Sequence, residues 1–347
     1  MGYLRNKIEA CMAGRETGVL LRVFLYVLSL IYGFFVRVRI FLYKIGVLKQ
    51  VRVGCKVISI GNITAGGSGK TPVTMKIAAF LKARGKKVVI LSRGYKRKKT
   101  GLVVVSGFDG PLVGQEDAGD EAYLMAEKLM GVPVIVSADR VEAARHAIEE
   151  FSADAIVLDD GFQHLRLARD VNVVLIDGEK RFGTGYLLPR GVLREPLSGL
   201  SRADCFMVKG KGALLEIEGA GKPVFRFSYK PLMLRSLDGS ERPLGFLRRK
   251  KVAIVSGIAS PESFEATVKE LGPTIDKVFI YSDHHSYSKE DVSEITAGVK
   301  GLDAVVTTEK DIVKLNGLWP KEILLLAISI EVEIENQEGF FELIGKG

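Results

Sequence analysis

The 347-residue chain is 47% hydrophobic with a mean hydropathy of +0.17, which excludes a disordered or low-complexity polymer. Its three cysteines, Cys11, Cys55 and Cys205, share no paired spacing, which excludes a disulfide framework or a cysteine-ligated zinc site and fits a reducing compartment. The net charge of +9 is uneven: residues 1–52 hold nine Lys/Arg against Glu9 and Glu16, a net +7, so this segment faces an anionic partner, nucleic acid or a membrane surface.

The residues between those charges favour a membrane. Val23 to Val36 is uncharged and apolar, and Arg22, Arg37 and Arg39 bracket it. Fourteen helical residues cover about 21 Å, short of a hydrocarbon core of about 30 Å. The expectation is a helix lying in the interface with its arginines reaching lipid phosphates; a buried core helix with charged ends is the alternative. Interleaved Val, Leu, Ile and Phe argue against a non-enzymatic nucleic-acid binder. No cleavage site for a signal peptide stands out.

Val57 to Ile60 reads as a buried strand. It runs into Gly61-Asn62-Ile63-Thr64-Ala65-Gly66-Gly67-Ser68-Gly69-Lys70-Thr71-Pro72 and then into an apolar periodic run, Val73, Ile77, Ala78, Leu81. Strand, glycine loop and helix form the setting of a phosphate-binding loop. In that reading Thr64 to Thr71 bind ATP, with backbone N–H groups and the helix N-terminus on the phosphates. Lys70 reaches the β/γ oxygens and the Thr71 hydroxyl sits on Mg²⁺. The strict motif asks for glycine where Thr64 stands, so an ordinary glycine-rich turn is the competing reading.

Strands follow at Lys87–Leu91, Val103–Ser106, Val132–Val136, Ala155–Leu158, Val171–Ile176 and Asp204–Val208, with helices between them, which predicts a mostly parallel sheet. The basic run Lys96 to Lys99 is either a solvated loop or a face turned to an anionic substrate. The irregular Gly183–Arg194 stretch is long enough to be functional. Phe225, Phe227 and Tyr229, and then Ile328, Ile330, Val332 and Ile334, alternate with polar residues at period two, so each run is a half-exposed strand. Their pairing as a ribbon would frame a smaller α/β unit. The organisation expected is a basic, apolar membrane-associated segment at 1–52 and a P-loop kinase domain at 53–222. A linker ribbon with the C-terminal end covers 223–250 and 327–347, and a smaller α/β domain covers 251–326.

Leu158-Asp159-Asp160 after an apolar strand suits the acidic partner of a phosphate loop, with Asp159 and Asp160 at the metal; either could instead cap a turn. Asp120 is a candidate base at a helix start, although a carboxylate there is equally suited to the helix dipole. His284 and His285 follow a strand in the smaller unit. A membrane-recruited regulatory ATPase of the Min or partition type is the runner-up, but its signature Lys is Ala65 here.

GNITAGGSGKTP, LSRGYK, GDEAYLMA, ADR, LDDGFQHLRL, LLPRGVLREP, DHHSYS and TTEKD, in that order, resemble the tetraacyldisaccharide 4′-kinases of Gram-negative bacteria. Thr64 is that family's own form; Arg190 departs from it, standing where a small residue is expected. The resemblance implies two Rossmann-like α/β/α domains joined by a two-stranded ribbon. It implies transfer of the γ-phosphate of ATP to the 4′-hydroxyl of a tetraacyldisaccharide 1-phosphate, forming lipid IVA in lipid A biosynthesis. The site would be the cytoplasmic face of the inner membrane, with no nucleic acid and no obligate protein partner. By similarity Asp120 is the base with His284 as its partner, Asp159 and Asp160 organise Mg²⁺, and Tyr95, Arg140, Gln163 and Glu195 face the substrate.

Overall fold

The structure, a computed structural model, describes residues 2–15, 18–66, 69–212, 217 and 221–346. Two helices come first, α1 (Gly2–Met12) and α2 (Val19–Lys44). Helix α2 spans 26 residues, about 39 Å, and is long and apolar enough to cross a membrane by length and composition. The fourteen-residue estimate is therefore corrected: Arg37 and Arg39 do not stop the helix, because arginine is a good helix former whose charge can reach away from the axis. Leu25, Ser29 and Gly33 are its buried residues, spaced by four and so on one face. Leu20, Phe24, Val27, Ile31 and Phe34 form an exposed apolar stripe elsewhere on it.

The next stretch runs β1 (Lys56–Gly61), α3 (Lys70–Ala83), β2 (Val88–Ser92), β3 (Val103–Ser106), α4 (Gln115–Ala118), α5 (Asp120–Lys128), β4 (Val134–Val136), α6 (Arg140–Phe151), β5 (Ala155–Asp159), β6 (Val171–Asp177) and β7 (Cys205–Lys209). Strand β1 is buried from Val57 onward, which is why KVISIG shows no polar alternation. It pairs in parallel with β5 on one side and β6 on the other. The chain thus crosses over β1 between β5 and β6. In open α/β sheets ligands bind at the carboxyl ends of strands flanking such a switch.

The rest runs β8 (Val224–Ser236), β9 (Glu241–Arg242), β10 (Lys251–Ser256), α7 (Pro261–Glu270), β11 (Thr274–Ile280), α8 (Lys289–Gly298), β12 (Ala304–Thr308), α9 (Glu309–Leu315), β13 (Leu325–Ile334) and α10 (Gln337–Gly345). Strand β8 is parallel to β7 and antiparallel to β13, so the ribbon joins two mostly parallel sheets, the first with β3 antiparallel at its edge, into one of 13 strands. The sheet order is β11-β10-β12-β13-β8-β7-β6-β1-β5-β2-β4-β3, with β9 on β8. The ribbon slips register between Ser329 and Ile330, where Pro231 faces Ile330; a bulge is where a strand tolerates proline. Glu331 lies opposite Lys230 as its alternation suggests, but its ion pair is with Lys76 of α3, at 2.7 Å. Ser260 precedes α7 without capping it, and its hydroxyl accepts from Lys180 Nζ at 2.6 Å. At the chain's end Phe341 stacks on Phe80 of α3 with centroids 3.8 Å apart, and Phe340 and Ile344 enter the core of the first half.

Candidate active site

The glycine loop leaves the carboxyl end of β1. Gly69, the residue before α3, has φ +80°, and a Cβ there would sit 1.6 Å from Tyr229 Oη on the ribbon. Only glycine meets both demands. A second loop braces the first: the Ala65 N–H donates to Val192 O at 2.7 Å, the Arg194 N–H to Ile63 O at 2.7 Å, and Thr64 bridges Leu193. Thr64 therefore serves an extended bridge where the strict motif has glycine. The Ala65 N–H is spent on Val192 rather than aimed into the cleft. Gly67 and Ser68 lie outside the described residues. Lys70 Nζ donates to Asn62 Oδ1 at 3.4 Å and stands 3.7 Å from Asp160 Oδ1. Thr71, the second residue of α3, is buried at the cleft wall.

The two adjacent aspartates have opposite environments. Asp159 ends β5 and is 1% exposed; Thr74 and Ser92 hydroxyls donate to it at 3.2 and 3.3 Å. Burial, then the charges of Glu121 and Asp160, push its carboxyl up to about 7. Asp160 has φ +52°, and Arg194 Nη1 donates to both its oxygens at 2.9 and 2.8 Å. Burial works against its charge too, but Lys70 and Arg194 outweigh burial and hold it below the usual carboxylate range. A buried carboxyl crowded by like charge and met only by neutral hydroxyls is a donor set suited to a hard divalent cation, with Thr71 as a further oxygen. Among the described residues no group of three His, Cys, Asp or Glu is placed to hold a metal ion.

Asp120 opens α5. Gly119 before it has φ +84°, and a Cβ there would lie 2.7 Å from Tyr95 O, so glycine lets the β2 loop close against this helix start. Asp120 Oδ1 accepts from Gln115 Nε2 at 2.9 Å; Oδ2 lies 3.4 Å from His284 Nδ1 and 3.3 Å from Lys314 Nζ. Burial raises this carboxyl, yet His284, Lys314 and Gln115 together hold it well below the usual range, so it is ionised. His284 has φ +58°, packs edge-on to Tyr95 at 5.1 Å, and its carbonyl accepts from Lys96 Nζ at 2.9 Å. Lys310 of α9 pairs with Glu121 at 2.8 Å and stands 3.4 Å from His284 Nε2. The histidines divide: His285 stacks on Tyr281 and meets Asp291 at 2.9 Å, away from this cluster. The basic run divides as well, since Lys98 and Lys99 pair with Glu116 and Asp117 on α4.

Arg140 at the start of α6 is 4% exposed, donates to Ser137 O at 2.5 Å, and is drawn down to about 10 by burial. Gln163 Nε2 donates to Asn62 O and Glu195 Oε1, both at 2.8 Å. Glu195 is buried and also pairs with Arg202 at 2.5 Å, so it braces Gln163. Tyr32 and Arg39 bring α2 to the same place: Tyr32 donates to Arg194 O at 2.6 Å and Arg39 to Gln163 O at 3.2 Å. Arg190 turns away, placing Nη1 3.2 Å from Cys11 Sγ and its guanidinium 4.8 Å over Tyr186, so it ties α1 to the loop.

One cleft of about 960 Å³ is walled by Gly69, Lys70, Thr71, Asp159, Asp160 and His284, and reaches Tyr95, Arg140, Gln163, Glu195 and the Tyr32 face of α2. Asp120 touches His284 and Lys314 at its edge. Sequence reasoning missed Lys310, Lys314, Glu121, Arg194 and Asn62. The spacing of Lys310 and Lys314 by four after Thr308-Glu309 puts both on one face of a short helix, which was the available signal.

A family model described as tetraacyldisaccharide-1-P 4′-kinase matches residues 21–346. A tetraacyldisaccharide 4′-kinase of Syntrophus aciditrophicus is 39% identical over 341 residues, covering 92% of this chain and 91% of the relative. One from Halothermothrix orenii is 38% identical, covering 94% and 93%. The crystal structure of an "apo" form of LpxK from Aquifex aeolicus in complex with ATP matches with a TM-score of 0.77 and 35% identity, covering 94% of this chain and 98% of that one.

Proposed function

Because the chain belongs to the tetraacyldisaccharide-1-P 4′-kinase family, we propose that this cleft moves the γ-phosphate of ATP to the 4′-hydroxyl of a tetraacyldisaccharide 1-phosphate, with Asp120 as base. The chain is an ATP- and Mg²⁺-dependent kinase of lipid A biosynthesis, and its product is lipid IVA. One observation carries the residue assignment: Asp120, held ionised by His284 and Lys314, sits directly behind His284, which lines the cleft together with Glu121, Lys310 and Lys70.

In this reading Gly66, Gly69, Lys70 and Thr71 seat the triphosphate at the start of α3. Thr71, Asp159 and Asp160 would hold Mg²⁺, which when bound neutralises phosphate charge as it develops. Asp120 Oδ takes the proton of the 4′-hydroxyl while that oxygen bonds to the γ-phosphorus. The bond from the γ-phosphorus to the bridging oxygen breaks, and its electron pair leaves with ADP. His284 Nδ1 fixes the rotamer of Asp120. Arg194 holds Asp160, and Arg140, Gln163 and Tyr95 border the space for the sugar.

Two lobes at 53–222 and 251–326, linked by the ribbon of 223–250 and 327–347, would close on substrate, since the Asp120 cluster draws on both. Segment 1–52 would seat the enzyme on the cytoplasmic face of the inner membrane, the α2 stripe in lipid and the Tyr32 face toward the cleft. The lipid would reach the cleft from the bilayer, without an obligate protein partner. The test is label transfer from γ-labelled ATP to a panel of lipid and sugar acceptors. Label on the tetraacyldisaccharide 1-phosphate supports the reading. ATP hydrolysis indifferent to acceptor, with ATP-dependent dimerisation, would replace it with a regulatory ATPase.

A further inference from the structure

We propose that Lys314 is a positioning residue that fixes Asp120 from the opposite lobe; this rests on the reading of Asp120 as base. The Lys314 side chain is 4% exposed, and its Nζ stands 3.3 Å from Asp120 Oδ2 and 3.5 Å from Asp311 Oδ1. A buried ammonium needs partners that stay in place. Asp311 is such a partner. It is fully buried and accepts from the Gly257 N–H at 3.0 Å and the Thr308 hydroxyl at 2.7 Å. The end of β10 and the start of α9 therefore set where the ammonium sits, independently of Asp120.

Lys314 is not among the residues walling the cleft, whereas Lys310, one turn earlier, is. Lys310 is matched to Glu121 at 2.8 Å. The charged and titratable groups around Asp120 are Lys310, Lys314 and Asp311 from α9, His284 and Asp283 from the loop after β11, Lys96 and Tyr95 from the loop after β2, and Glu121 on its own helix. Among the ion pairs of the described residues, Lys314 is the lysine paired directly with the Asp120 carboxylate. It converges with His284 on Oδ2, while Gln115 holds Oδ1. Lys314 thus does to the base what Arg194 does to Asp160: it places a cation where the carboxylate must stay charged and still.

The test uses the full chain in detergent with ATP, Mg²⁺ and the lipid acceptor, comparing Lys314→Arg, Lys314→Met and the double variant Lys314→Met/Asp311→Asn. The double variant removes both buried charges, which keeps the fold where a lone unpaired Asp311 would threaten it. We expect kcat to fall about 10–100-fold in the Met variants, part of the usual general-base contribution. KM for ATP and for lipid should stay within about threefold, a split that follows when only the transition state is affected. The acid limb of the kcat–pH profile should move to higher pH, because loss of a cation makes Asp120 easier to protonate. Lys314→Arg should restore most of the rate. An unmoved acid limb in Lys314→Met, or wild-type kcat in the double variant, overturns the proposal. Asp120→Asn, run in parallel, separates the two ideas: full activity there removes the base itself, whereas its loss with an unaffected Lys314 variant removes only this inference.

Discussion

Arg194 places a single nitrogen, Nη1, on both carboxylate oxygens of Asp160, at 2.9 and 2.8 Å. The same residue gives its carbonyl to Tyr32 of α2 and its backbone N–H to Ile63 of the phosphate loop. One residue therefore connects α2 and the nucleotide loop through its backbone and the acidic pair through its side chain. Arg194→Ala should lower kcat/KM for ATP about 10–100-fold, the size of one lost bond to a charged group. Steady-state kinetics at varied ATP check this, and a change under twofold would remove Arg194 from the site.

Asp120→Asn keeps the shape of the side chain and removes the proton acceptor. We expect kcat to fall by about 10²–10⁴ while ATP affinity, measured by calorimetry, changes less than about threefold. Its stability effect has a defined sign. The folded carboxyl lies below its ordinary value, so its contribution is present above about pH 4 and is lost as pH falls through the folded value. The melting difference between wild type and Asp120→Asn should therefore stay level from neutral pH to about pH 4 and shrink only below that.

Gly69→Ala sets a methyl group against Tyr229 Oη and forces a left-handed conformation at φ +80°. The backbone cost alone is about 1–2 kcal/mol. ATP affinity should drop at least about tenfold, and Tyr229→Phe in the same chain should recover part of it. Unchanged ATP binding by the single variant would separate this loop from the nucleotide.

Metal dependence should map to Asp159. Chelation should abolish transfer and added Mg²⁺ restore it, and Asp159→Asn should raise the Mg²⁺ needed for half-maximal rate. A variant with the wild-type Mg²⁺ requirement would assign the ion elsewhere.

The exposed stripe of α2 gives a fifth measurement. Ile31→Glu with Phe34→Glu should abolish flotation with vesicles containing anionic lipid while leaving ATP affinity unchanged, since a carboxylate near the bilayer centre costs about 2.5–3.5 kcal/mol. Flotation at the wild-type level would place the lipid contact on another surface.

Local features of the site were legible in the sequence because each is written in consecutive residues. Strand, glycines, Lys70 and Thr71 occupy one stretch, and Asp159 and Asp160 close a buried strand. The full length of α2 was not legible from its uncharged apolar run, since Arg22, Arg37 and Arg39 lie within the helix rather than at its ends. The Ala65 N–H looked free for phosphate because its partner, Val192, arrives from a distant loop. Asp120 and His284 lie 164 positions apart, and no periodicity announces their meeting. Their family resemblance joined them, but its motif TTEKD carried Lys310 without a role and stopped short of Lys314; the partners of both exist only once the ribbon has brought α9 beside α5.

Helix α10 is synthesised after every other element described, yet Phe340, Phe341 and Ile344 belong to the core that Val73, Ile77 and Leu81 of α3 begin. The first half thus seals its interior only after the ribbon and the smaller unit between its strands have been made. Until then the faces of Val73, Ile77 and Leu81 lack that cover, the kind of surface that chaperones bind and that aggregation exploits.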